Sequence, residues 1–154
     1  MHPPCLFARG PASHGPSDRS TAAGAARESH RPGRVAQVLV IDDDPLIAEL
    51  LHSVLVEGGH QPSTAVTLHG LGPEGFELII TDLLASDTYR VSEASSWVAE
   101  IRRRVPGVPV VVCTAHQGAS SEREAIGADA VITKPFDVEV FLSLVDGLTE
   151  KRTG

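Results

Sequence analysis

Val38-Leu39-Val40-Ile41-Asp42-Asp43-Asp44-Pro45 sets four apolar residues directly before three carboxylates and a proline. A continuous apolar, β-branched run of this kind predicts a strand buried on both faces, as in a parallel sheet. Asp44 is a good helix N-cap and Pro45 suits the first helical position, so the strand passes directly into a helix. Leu46, Ile47, Leu50, Leu51, Val54 and Leu55 then recur at helical spacing until Gly58-Gly59 stops them. Carboxylates crowded at the end of a buried strand repel one another and are costly unless a cation sits among them. The stretch therefore predicts an α/β fold and one wall of an acidic Mg²⁺ pocket.

The same pattern repeats downstream. Gln61–Val66 reads as a weak strand, and Pro62 marks it as an edge. Thr67–Glu74 is short and glycine-rich, with room for one or two helical turns at most. Phe76–Thr81 is a buried strand ending in Asp82. Ala94, Trp97, Val98, Ile101 and Val105 form an apolar helical stripe, closed by Arg102-Arg103-Arg104 at the negative end of the helix dipole. Val108–Cys113 is a third apolar strand, ending in Thr114. Ser120 or Ser121 caps a short helix that stops at Gly127. Ala130–Thr133 is a short strand ending in Lys134-Pro135, and Asp137 caps a last helix carrying Val138, Phe141, Leu144, Val145 and Leu148. Strands alternating with helices predict a parallel, doubly wound sheet of five strands with right-handed crossovers and helices on both faces.

Composition narrows the function classes. The chain has 154 residues and a net charge of −7. Residues 1–34 carry five arginines against Asp18 and Glu28, whereas the remainder carries 8 basic and 18 acidic residues. An acidic body is a poor nucleic-acid binder, because phosphate contacts need positive charge. No apolar run approaches the ~20 residues that span a bilayer, and Leu6-Phe7-Ala8 is too short for a signal-peptide core. Cys5 and Cys113 sit in unlike contexts, which suits a reducing cytoplasm rather than a disulfide framework. Residues 1–34, rich in Pro, Gly, Ser, Ala, Arg and His, offer little to bury and read as a disordered tail, or as the product of a start codon placed too early. The folded domain is expected over residues 35–151.

Asp42/Asp43, Asp82, Thr114 and Lys134 each follow the C-terminal end of a predicted strand. A parallel sheet brings such ends to one edge, where ligands bind at the switch point in strand order. Three carboxylates can hold a hard cation that prefers oxygen ligands. An ammonium group and a hydroxyl can neutralise and hydrogen-bond a phosphoryl group. Taken singly, each residue also has an ordinary structural reading: Asp44 is chiefly a helix cap, Lys134 a solvated lysine, Thr114 a strand end and Trp97 core packing. Their joint occurrence at four strand ends is what points to a site.

In that order and spacing, Val38–Pro45, Asp82, Thr114-Ala115 and Lys134-Pro135-Phe136 resemble the receiver domain of two-component response regulators, over about residues 36–150. The resemblance implies a flavodoxin-like fold with strand order 2-1-3-4-5. It implies phosphorylation of Asp82 by a histidine kinase or histidine phosphotransfer protein. Mg²⁺ would be held by Asp43 directly, by Asp42 largely through water, by Asp82 and by the backbone carbonyl of Leu84. Thr114 and Lys134 would contact the phosphoryl group, Ala115 would leave it accessible, and the Lys134-Pro135 bond would be cis. The implied protein is a stand-alone cytoplasmic receiver that binds neither membrane nor nucleic acid. It would act through an unknown downstream partner, a phosphorelay or a phosphorylation-dependent dimer.

Departures from the family pattern are visible too. The second helix region is short, Leu83-Leu84-Ala85-Ser86-Asp87 lacks the usual Pro-Gly turn, and Val131 stands where an aromatic switch residue is common. No effector domain follows before Gly154. Two readings compete: a receiver-like interaction module that switches without phosphate, and a phosphatase of the haloacid-dehalogenase type. The latter is opposed by the order of the motifs, because its carboxylate pair would follow the lysine. A nucleotide-binding Rossmann domain is weaker still, since no G-x-G-x-x-G or P-loop follows any strand.

Overall fold

The computed structural model describes residues 34–72, 75–83 and 88–153. The expected disordered tail over 1–34, apart from Arg34, lies outside these residues, as does the Leu84 carbonyl expected at the metal. Strands β1 (Gln37–Ile41), β2 (Gln61–Ala65), β3 (Leu78–Thr81), β4 (Val110–Thr114) and β5 (Ala130–Thr133) form one sheet. Its order is β2-β1-β3-β4-β5, and every pairing is parallel. Helices α1 (Pro45–Glu57), α2 (Val91–Arg104), α3 (Arg123–Ile126) and α4 (Val138–Glu150) connect or flank the strands. This is the doubly wound, flavodoxin-like arrangement expected from the alternation.

Side chains alternate across each central strand and so feed two cores. Val38, Val40, Leu78, Ile80, Val111 and Cys113 face α1 and α4, packing on Leu51, Leu55, Phe141 and Val145. Leu39, Ile41, Ile79, Val110 and Val112 face α2 and α3, packing on Val98, Ile101 and Ile126. Burying each such side chain contributes roughly 1.5–3 kcal/mol before chain entropy is subtracted. Phe136 stacks on Phe141 at 5.0 Å, tying the loop after β5 to α4.

Local signals act as expected at α1 and α4. Asp44 accepts from the Leu46 N–H at 2.9 Å, with Pro45 at the first helical position. Asp137 accepts from Glu139 N–H and Val140 N–H. At β2, Pro62 lies on the sheet margin, as its missing donor requires.

One expectation is met at its lower limit and another needs correction. Among the described residues no helix lies between β2 and β3. Residues 66–72 form bends and a turn that bury Leu68 against Ile101-side packing and accept, through the Leu68 carbonyl, a 2.9 Å hydrogen bond from Arg104 Nη1. One buried leucine and one arginine do there what a helix face does elsewhere. Nor does Ser120 or Ser121 cap α3. A 3₁₀ turn at Gln117–Ser120 intervenes, the N-cap residue is Glu122, and the helix ends at Gly127 in the left-handed region at φ 79°.

At the opposite end of the sheet from the carboxylates, Asp129 accepts from the Val110 N–H at 2.7 Å and pairs with Arg102 at 2.8 Å. At the same end of the sheet but by its β2 margin, the buried His60 meets Asp146 at 3.1 Å and accepts from the Ala36 N–H at 3.4 Å. These contacts pin strand N-termini and leave the other edge to the site.

Candidate functional site

Strand register carries the acidic residues together. Ile41 pairs with Thr81, and the backbone ladder runs one step further: Asp82 N–H donates to Ile41 O at 3.0 Å, and Asp42 N–H to Ala65 O at 3.1 Å. Asp42 and Asp82 thus leave neighbouring strands side by side. On the other half of the sheet Thr114 pairs with Thr133, and Lys134 N–H donates to Thr114 O at 2.8 Å. Lys134 therefore starts its path across the sheet edge from beside Thr114. The Lys134–Pro135 peptide bond is cis.

The side chains converge. Carboxylate oxygens of Asp42, Asp43 and Asp82 lie within 4.8 Å of one another. Lys134 Nζ stands 3.4 Å from Asp42 Oδ2 and 3.7 Å from Asp82 Oδ2. Asp42 is 1% exposed, and its Oδ1 accepts from the Asp44 N–H at 2.9 Å, which fixes the carboxylate on the strand end. Asp82 accepts from Leu83 N–H at 2.8 Å. Burial, aided by the Asp42 and Asp43 charges, raises the Asp82 carboxyl above its ordinary pKa, against the opposing pull of Lys134 and the Leu83 N–H.

One ammonium against three carboxylates leaves an excess of negative charge in a cluster made only of oxygen donors. That donor set suits a hard divalent cation such as Mg²⁺. Burial pushes the thiol of Cys113, the residue before Thr114, up to about 12, so it is an inert packing group at neutral pH.

A cleft of about 880 Å³ opens over this cluster, lined by Asp43, Asp82, Thr114, Ala115 and, on its outer wall, Tyr89 and Trp97. It is in the size range of ligand pockets and so has room for a donor side chain beside a phosphoryl group.

Thr81, Tyr89 and Glu122 were not read from the sequence as neighbours of the site. Trp97 packs against the core as expected, and in addition its Nε1–H donates to Thr81 Oγ1 at 2.9 Å, while Thr81 in turn donates to the Asp82 carbonyl at 2.8 Å. Tyr89 lies with its ring centroid 4.1 Å from that of His116, and its hydroxyl donates to Glu122 at 2.7 Å. Of the three, only Tyr89 carried a hint, as the one tyrosine in the chain.

Comparison with known proteins gives a consistent picture. The family model described as the response regulator receiver domain matches residues 38–146. The transcriptional regulatory protein GlrR of Escherichia coli is 31% identical over 129 residues, covering 80% of this chain and 28% of that protein. The virulence transcriptional regulatory protein PhoP of Salmonella typhimurium is 29% identical over 124 residues, covering 77% of this chain and 54% of that one. The chain thus spans about half or less of the length of these relatives. Among solved structures, the beryllofluoride-activated NtrC4 receiver domain is 28% identical with a TM-score of 0.61, covering 75% of this chain and 97% of that one. A receiver domain from Clostridium thermocellum, at 20% identity and TM-score 0.62, shares the fold over 77% of this chain and 98% of its own.

Proposed function

Because the chain belongs to the family of response regulator receiver domains, we propose that it takes a phosphoryl group from a phosphohistidine onto Asp82 in a Mg²⁺-dependent manner. The observation that carries this reading is the placement of Lys134 Nζ between Asp42 and Asp82, beside a third carboxylate. Asp42, Asp43 and Asp82 would hold the ion, together with the Leu84 carbonyl, which lies outside the described residues. When bound, Mg²⁺ supplies charge neutralisation between a carboxylate and an incoming phosphoryl group.

In the transfer, an Asp82 carboxylate oxygen attacks phosphorus, a P–O bond forms and the P–N bond to the donor imidazole breaks. The bonding pair stays on the imidazole nitrogen, which takes a proton, and Asp82 becomes a mixed anhydride. Lys134 balances the charge of the phosphoryl oxygens. Thr114 Oγ1 already accepts from the His116 N–H at 3.2 Å, so its own proton is available to a phosphoryl oxygen. Ala115 keeps the approach clear.

The expected partners are a histidine kinase or histidine phosphotransfer protein and a downstream protein bound after phosphorylation. Signalling by docking, relay or a phosphorylation-dependent dimer, in the cytoplasm and without direct nucleic-acid contact, fits the acidic composition of residues 35–154. Among the described residues no helix is long and apolar enough to cross a membrane. The family's domains serve in signalling rather than as enzymes, and slow loss of phosphate from Asp82 would be self-dephosphorylation.

Incubation with Mg²⁺ and a small phosphodonor or a cognate kinase should label the chain, with Asp82→Asn abolishing the label. Absence of any Asp82-dependent acyl phosphate with every donor would sink the proposal and favour an interaction module that switches without phosphate, a reading to which Val131 lends some support.

A further inference from the structure

The aromatic group that commonly follows threonine movement in this family is missing, since Val131 has no ring to turn. A different aromatic group stands against the threonine loop. We propose that Tyr89, packed on His116 and tied to Glu122, is the element that transmits phosphorylation of Asp82 to the surface formed by residues 117–127. The inference rests on Asp82 being the phosphoacceptor.

Four contacts make the connection. Thr114 Oγ1 accepts from the His116 backbone N–H at 3.2 Å. The His116 imidazole lies 4.1 Å, centroid to centroid, from the Tyr89 ring at a tilt of 37°. The Tyr89 hydroxyl donates to Glu122 Oε2 at 2.7 Å. Glu122 is the N-cap residue of α3, and its carbonyl accepts from the Ile126 N–H at 2.9 Å to begin that helix. The Tyr89–Glu122 bond is short and has a charged acceptor, which places it among the stronger hydrogen bonds. Partial burial of the ring and the Glu122 carboxylate together push the phenol up to about 12, consistent with a hydroxyl that stays a donor.

A phosphoryl group on Asp82 gives the Thr114 hydroxyl a new acceptor inside the cleft. If Thr114 turns toward it, the hydroxyl either draws the His116 backbone along or releases it. Both outcomes displace the imidazole from the Tyr89 ring, and the shift is passed to the Tyr89–Glu122 bond. The receiving segment is suited to respond. It is a 3₁₀ turn followed by a helix of four residues, and so short a helix has no stability of its own without tertiary contacts.

The chain's one tyrosine allows the connection to be read at its centre. The full-length protein labelled with 3-fluorotyrosine gives a single fluorine resonance, from Tyr89. Addition of Mg²⁺ and a small phosphodonor should shift that resonance and raise hydrogen exchange of the 119–127 amides about tenfold, the scale set by loss of one hydrogen bond to a charged group.

Glu122→Ala should form the Asp82 acyl phosphate to the wild-type level. Its fluorine resonance should already be displaced and its 119–127 amides already fast, with no further change on phosphorylation. His116→Ala, which keeps the backbone N–H on Thr114 but removes the ring, should behave in the same way. A wild-type protein that carries the acyl phosphate while both signals stay still overturns this inference alone. So does a Glu122→Ala protein that retains the full response. Failure to form the acyl phosphate overturns the phosphoacceptor reading, and this inference with it.

Discussion

Replacing Lys134 by methionine keeps the length of the side chain and removes the one ammonium group from among three carboxylates. The contact distance to Asp42 is 3.4 Å. At an effective dielectric of about 20, that single contact corresponds to about 5 kcal/mol. The loss measured on folding is smaller, for two reasons. Lys134 itself pays desolvation in the native state, which offsets part of the attraction. In addition, a carboxylate left unpaired can take up a proton, and neutralising an ordinary aspartate costs about 4 kcal/mol at pH 7. That is a ceiling, so the expected destabilisation of Lys134→Met in EDTA at pH 7 is about 2–4 kcal/mol, or roughly 4 °C in Tm for each kcal/mol. The ceiling falls as protons become available and stands at roughly 1–2 kcal/mol at pH 5. Urea unfolding followed by Trp97 fluorescence at both pH values measures the difference. Saturating Mg²⁺ should narrow the gap between the two proteins at pH 7, because a divalent cation replaces the missing charge. A loss below about 0.5 kcal/mol at pH 7, the usual size of a surface substitution, would refute the argument that Lys134 offsets the carboxylates. So would a loss that does not shrink at pH 5.

Asp82 offers a prediction of the opposite sign. Its folded-state pKa is raised by burial, so the fold holds this proton more tightly than the unfolded chain does. The associated stability is present below the ordinary carboxylate range and is lost as pH rises through the raised value. Asp82→Asn should therefore raise the unfolding midpoint in EDTA at pH 7, and the gain should vanish below about pH 4, near the ordinary aspartate pKa; a thermal melt series across pH checks both. Gly127 closes α3 at φ 79°, and an added Cβ meets nothing within 4 Å. Gly127→Ala should cost about 1–2 kcal/mol from backbone conformation alone, and a denaturation curve matching the wild type would count against that account.

The fold was legible because strand and helix patterns were strong where burial was complete. Val38–Ile41, Leu78–Thr81 and Val110–Cys113 are apolar on both faces, so only central parallel strands fit them. Parallel pairing then predicted that whatever followed each strand would share an edge, which is how Asp42, Asp82, Thr114 and Lys134 could be grouped without coordinates. The exceptions are places where a tertiary contact outweighs local pattern. Residues 66–72, too short and glycine-rich for more than a turn or two of helix, are held instead by the buried Leu68 and by Arg104 on its carbonyl. A 3₁₀ turn displaces the expected serine cap of α3 to Glu122. Trp97 looks like any core residue on an apolar stripe, and its indole N–H acquires meaning only when Thr81 is found beside it. Tyr89 and Glu122, 33 residues apart, are joined by a hydrogen bond that no local spacing encodes.

The two margins of the sheet differ in a way that bears on how the protein fails under stress. At one margin β2, Gln61-Pro62-Ser63-Thr64-Ala65, has no large apolar side chain and contains a residue with no N–H to offer. At the other, β5 is Ala130-Val131-Ile132-Thr133, largely apolar and β-branched, and among the described residues it has a partner strand on one side only. Polar composition and proline are the usual protections against edge-to-edge growth, and only the first margin has them. Strand addition by a second molecule is therefore favoured at β5, whose brevity is its main defence. In a concentrated or heated sample, aggregation should begin from the β5 side of the molecule.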